Sequence, residues 1–216
     1  MEAIAMKARH WLRIVLSGLL LATATVRAAN SDPDLAAQRQ QTALKQAITT
    51  CSTCHGANGR SISPTFPDLA GQSAQYIDLQ LHAFKDQSRA DPDAQAFMWG
   101  MASQLNDALI TSLAKYFSGQ PGPSGIPGNA ALVAQGKQIF EKGIPESQIP
   151  PCATCHGAHA EGIGPFPRLA GQHAPYLLKQ LLVIQSVLRT APVMHGVIKD
   201  LSKPQMQAVA TYLQSL

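Results

Sequence analysis

A seven-residue string recurs in this chain one hundred positions further on: Phe66-Pro67-Asp68-Leu69-Ala70-Gly71-Gln72 returns as Phe166-Pro167-Arg168-Leu169-Ala170-Gly171-Gln172. Matches continue around it. Tyr76 answers Tyr176, Gln80-Leu81 answers Gln180-Leu181, Met98-Trp99-Gly100 answers Met194-His195-Gly196, and Tyr116 answers Tyr212. The interval drifts from 101 upstream to 96 near Met98, as happens when loops of one fold gain or lose residues. Self-similarity on this scale means one structural unit built twice. Between the copies, Gly119 to Gly128 holds four Gly and three Pro, too many for an element interior. The expected organisation is a first domain over 29–119, a Gly/Pro-rich linker over 120–130 and a second domain over 131–216. Each unit is small enough that its own core is marginal.

All four cysteines fall in a second repeat, Cys51-Ser52-Thr53-Cys54-His55 and Cys152-Ala153-Thr154-Cys155-His156. Cys-x-x-Cys-His is the attachment signature of c-type haem. Two thiols add to the two vinyl groups of one porphyrin, and the adjacent His55 or His156 meets the iron. One porphyrin accepts one such motif, so two motifs mean two covalently bound haem c groups. A shared zinc site would want about 15–20 residues between the pairs, and a redox disulfide has no use for the following histidine.

The units read as helical, an all-α fold. Leu132 to Phe140, Tyr76 to Phe84 and Tyr176 to Leu188 carry apolar residues at helix spacing. Asn106 and Ser202 stand as caps before the last helix of each copy, and Ser202-Lys203-Pro204-Gln205 reads as a capping box with Pro in the first turn. Alternating β-branched residues are absent, so no sheet is expected.

Residues 1–28 have the order of a cleavable export signal: Lys7, Arg9 and Arg13, an apolar run, then small residues ending at Ala28. The uncharged stretch between Arg13 and Arg27 is 13 residues, against about 20 for a membrane span. Cleavage after Ala28 or Ala24 would deliver the chain to the periplasm, where haem attachment to thiols is at home. Any membrane association would then be peripheral. The net charge of +4 comes mostly from this leader and gives no footing for nucleic-acid binding. Without it, residues 29–119 carry six basic and eight acidic side chains, and residues 130–216 seven and four. That asymmetry would orient the protein at an acidic partner through the second domain, with Lys179 and Lys203 among the charges that meet it.

Each iron takes a further axial ligand, His or Met, unless it binds small molecules. The repeat pairs Met98 with Met194, each read as lying in a Met-x-Gly turn because Met-x-Gly is a poor helix former, while Met101 is matched by Val197. Met98 and Met194 are therefore the expected ligands, with Met101 as runner-up. His82, His159, His173 and His195 lack histidine counterparts and are read as ordinary surface or core residues. Met206 is read as core filler. The Pro-flanked stretches Pro64–Pro67 and Pro165–Pro167 offer rigid carbonyls to hold the ligating histidine rings.

With Cys-x-x-Cys-His, Phe-Pro-x-Leu-Ala-Gly-Gln and Met-x-Gly in order in each half, the chain resembles the dihaem cytochrome c4 family, tandem class I c-type cytochrome domains. The resemblance implies two helical cytochrome c-like domains, each around one haem, with first and last helices crossing. Gly136 and Phe140 against Tyr212 would make that crossing in the second domain, and the first lacks the glycine. It implies haems facing each other across the domain interface, propionates inward. It also implies an electron carrier that delivers to a terminal oxidase, fed by a quinol-cytochrome c reductase or a dehydrogenase. A haem-carrying subunit of a periplasmic dehydrogenase, flavocytochrome-like, is the alternative. A dihaem peroxidase is the weaker one, since it would need an open iron.

Overall fold

The computed structural model describes residues 33–216, and the leader expected at 1–28 lies outside them. The chain divides into two compact units at Gln46/Ala47. The first contributes the leading turns of helix α1 (Pro33–His55), and the second holds both Cys-x-x-Cys-His strings. Helices α2 (Ala74–Lys85), α3 (Trp99–Ser103) and α4 (Asp107–Ser118) follow, then α5 (Ala130–Lys142), α6 (Ala153–His156), α7 (Ala174–Gln185), α8 (Pro192–Ile198) and α9 (Lys203–Gln214). The described residues contain no strand, only isolated bridges at Ile144–Ile149 and Ile163–Phe166. None of their helices is long and apolar enough to cross a membrane.

The helix starts follow local chemistry. Asn106 accepts from the Leu109 N–H, and Ser202 with Gln205 forms the expected reciprocal box, each closing donors that the first turn leaves open. Asn129 caps α5 and Ser73 caps α2 in the same way. Gly119 ends α4 at φ −78°, an ordinary helical value, so the stop does not use glycine's left-handed freedom. The chain beyond, 121–129, has no regular secondary structure and is tied down at intervals. Arg60 Nη2 donates to the carbonyls of Pro121 and Gly122, and the Ile126 N–H donates to Gln214 O.

Helices α5 and α9 cross where the family resemblance implied. A Cβ on Gly136 would collide with the carbonyl oxygen of Ala208, so only glycine lets these backbones meet. Phe140, fully buried, packs on Tyr212 with ring centroids 5.7 Å apart. Met206 is fully buried beside them. In the first half, α2 packs on α4 and α3, with Phe84, Ala94 and Ala102 forming a small apolar centre.

One local expectation needs correcting. The Met-x-Gly segments are helical. Met98 ends a π-helical stretch, Ala94–Met98, that leads into α3, and Met194 lies inside α8. Pro192 in the first turn of α8 supplies a preset φ and needs no N–H there, which outweighs the weak propensity of Gly196. Lys179, expected among the charges that meet a partner, also pairs within the chain: its Nζ lies 2.6 Å from Asp93 Oδ2, tying the two halves together.

Candidate haem sites

Both histidines that close the Cys-x-x-Cys-His strings are 7 % exposed. His55 Nδ1 lies 2.8 Å from the Pro67 carbonyl oxygen, and His156 Nδ1 lies 3.0 Å from that of Pro167. A carbonyl can only accept, so each Nδ1 carries the proton and donates it. Each Nε2 keeps its lone pair, the form in which imidazole binds a metal. Burial holds both rings below the usual histidine pKa, partly opposed by the bond to the proline carbonyl. The Pro-flanked stretch was expected to supply the acceptor, and the structure puts it on the equivalent residue in both halves. Those carbonyls are held in turn by the recurring string. The N–H groups of Leu69 and Ala70 both donate to Gly59 O, and those of Leu169 and Ala170 to Ala160 O. Directly after the first histidine, Gly56 has φ 75°, and a Cβ there would collide with Arg60 O.

The cysteines flank these histidines. Cys51, Cys152 and Cys155 are half-buried and Cys54 is exposed. Burial raises the thiol of Cys51, and that of Cys152 to about 11. Cys51, His55, Phe97 and Met98 line one apolar cavity with about 1180 Å³ of empty space, its open mouth included. Met101 does not line it and is 55 % exposed. In the second half, Cys152 and Met194 pack against the same apolar core. The donor set fits a c-type haem: paired thiols for the porphyrin edge, an oriented neutral imidazole, a soft thioether and an apolar enclosure. None of His82, His159, His173 and His195 lines the cavity. His195 Nδ1 is 3.1 Å from Ile184 O, and His173 Nε2 is 3.0 Å from Ser61 O.

Sequence reasoning read the seven-residue string as a marker and missed what its last residue does. Gln172 Oε1 accepts from the Asp68 N–H at 3.0 Å while its Nε2 donates to Asp68 O at 3.0 Å. Gln72 repeats this on Arg168, accepting at 2.7 Å and donating at 2.9 Å. Each half thus grips the main chain of the other at the variable position of the string. Arg89, Arg189, Gln80 and Gln180 form a second paired cluster beside it. No sequence signal pointed to it, because the burial that makes these glutamines need mutual partners appears only in the fold.

The family profile for cytochrome c matches residues 33–120 and again 133–216. A cytochrome c-552 from Acidithiobacillus ferridurans is 40 % identical over 207 residues, covering 94 % of this chain and 86 % of the relative. A thiosulfate dehydrogenase electron acceptor from Thiomonas intermedia is 38 % identical over 172 residues, covering 76 % of this chain and 77 % of its own. The solved structure of Acidithiobacillus ferrooxidans cytochrome c4 superposes with a TM-score of 0.75 at 42 % identity, over 78 % of this chain and 99 % of that one. With two helical units in tandem, each carrying its own haem-attachment string, the chain belongs to the cytochrome c family as a dihaem electron-transfer protein of the cytochrome c4 kind.

Proposed function

We propose that the protein is a periplasmic carrier in which two cytochrome c domains, 29–119 and 131–216, joined by the linker 120–130, each hold one haem. Cys51 and Cys54 bind the first, with His55 and Met98 as its axial ligands. Cys152 and Cys155 bind the second, with His156 and Met194. The haem supplies the one-electron iron couple. The protein's residues hold ligand geometry and exclude water, so that electron gain costs little rearrangement. The paired proline carbonyls carry this reading, because they aim both histidines alike, and an iron closed by His and Met has no vacant position for substrate.

Its donors are a quinol-cytochrome c reductase or a dehydrogenase, and its acceptor a terminal oxidase. The similarity to a thiosulfate dehydrogenase electron acceptor favours a dehydrogenase on the donor side. The test is coordination. The mature protein should exceed its polypeptide mass by two haems that acid-acetone does not extract. Met98→Ala and Met194→Ala should each open one iron to carbon monoxide. Opening by Met101→Ala in place of Met98→Ala would overturn the assignment in the first half.

A further inference from the structure

The cavity that holds Cys51, His55 and Met98 is also lined by Arg89, Arg189, Gln80 and Gln180. The two guanidiniums share the two amide oxygens. Arg89 donates to Gln80 Oε1 at 2.7 Å and Gln180 Oε1 at 3.0 Å. Arg189 donates to Gln180 Oε1 at 2.6 Å and Gln80 Oε1 at 2.9 Å. Both arginines are buried, 7 % and 8 % exposed.

The pairing is equal in geometry and unequal in charge. Arg89 Nε lies 2.8 Å from Asp91 Oδ2, and that carboxylate is 1 % exposed. The second copy has Ala191 at the matching position. Arg189 bonds only neutral groups, the two glutamines and the Tyr76 hydroxyl at 2.8 Å. The neighbouring Lys179–Asp93 pair cancels itself. Two cations therefore share one buried anion. Gln180, 6 % exposed, also has its Nε2 without a hydrogen-bond partner. A buried charge that lacks a counter-charge is costly, and the remedy is an anion with acceptor oxygens.

We propose that this cluster is a carboxylate site filled by a propionate of the haem held at Cys51 and Cys54, and that Arg189 of the second domain is a positioning residue for that haem. The inference rests on the dihaem reading above. Thioether bonds pin the vinyl edge of a porphyrin at the cysteines, so its two carboxylates leave at the opposite edge. Arg189 supplies the uncompensated charge across the domain boundary, and Asp91 cancels the charge of Arg89. The potential of the first haem is thereby set partly by the other domain.

The test is a redox titration of the holoprotein with spectra at each point, on the parent and on Arg189→Gln, Arg189→Lys and Asp91→Asn. Losing the cation favours oxidised iron, so Arg189→Gln should lower one midpoint by about tenfold in the reduction equilibrium, 59 mV for one electron. Asp91→Asn should raise the same midpoint, and Arg189→Lys should recover most of the loss. Opposite signs separate a charge effect from loosened packing, which would move both variants one way. Shifts of the same sign, or none, with two haems and their methionine–iron absorption intact, would overturn the proposal. A parent protein with fewer than two covalent haems would instead overturn the reading beneath it. If Arg189→Gln does not accumulate, Asp91→Asn and Arg189→Lys still decide.

Discussion

Replacing Gln172 by Ala removes the side chain that bridges both main-chain groups of Asp68. Gln172 and Asp68 are each 5 % exposed, so water does not readily take its place. An orphaned buried donor or acceptor costs about 1–3 kcal/mol. Two of them at Asp68 give about 2–6 kcal/mol. The His173 N–H, 3.1 Å from the same Oε1, loses its acceptor as well. Gln72→Ala removes the equivalent pair at Arg168, whose surroundings are half-buried. Water can reach that side, and the cost should fall to about 1–2 kcal/mol. Chemical unfolding of the holoprotein, read as a midpoint shift at constant slope, measures both. Gln172→Ala should shift the midpoint more than Gln72→Ala. Two equal shifts, each below about 0.5 kcal/mol, the usual size for a surface substitution, would show that the seam is not held by these bonds.

Three further outcomes are expected. Gly136→Val puts a branched side chain against Ala208 O and Tyr212, and overpacking of this kind costs about 1–3 kcal/mol or more; thermal melting should show it, and Gly100→Ala, with nothing within 4 Å of its Cβ, should not. Burial depresses the pKa of His55 and His156 in the folded chain, so protonation favours unfolding. Stability of the haem-free protein should therefore fall as pH drops through the ordinary histidine value of 6.5, and urea titrations across that range check it. Lys179→Glu should lower stability by breaking the ion pair with Asp93, whereas exposed Lys203→Glu should leave stability alone and weaken the salt dependence of electron delivery to an oxidase.

The helices and their caps were readable because each rests on local pattern, whereas the crossing at Gly136 came from the family resemblance. The candidate ligand histidines, His55 and His156, stood out because haem attachment dictates a contiguous string. What could not be read was anything depending on how one half sits against the other. Gln72 and Arg168 are 96 positions apart in the chain, and no local rule links them. The same holds for Lys179, whose charge counted correctly toward the second domain but is consumed by Asp93 of the first. The helical state of Met194 was missed because propensity was read from Gly196 without weighing Pro192 at the helix start.

The grip of Gln72 and Gln172 falls on backbone atoms, so it is indifferent to the side chain it meets. Asp68 and Arg168 differ in charge and are held alike. A surface that recognises main chain at its own repeated position is complementary to itself, as the face of a two-fold dimer is. The linker has made that encounter intramolecular and raised the effective concentration of each half at the other. Separated from its partner, either half would still carry both the glutamine and the backbone that the glutamine seeks.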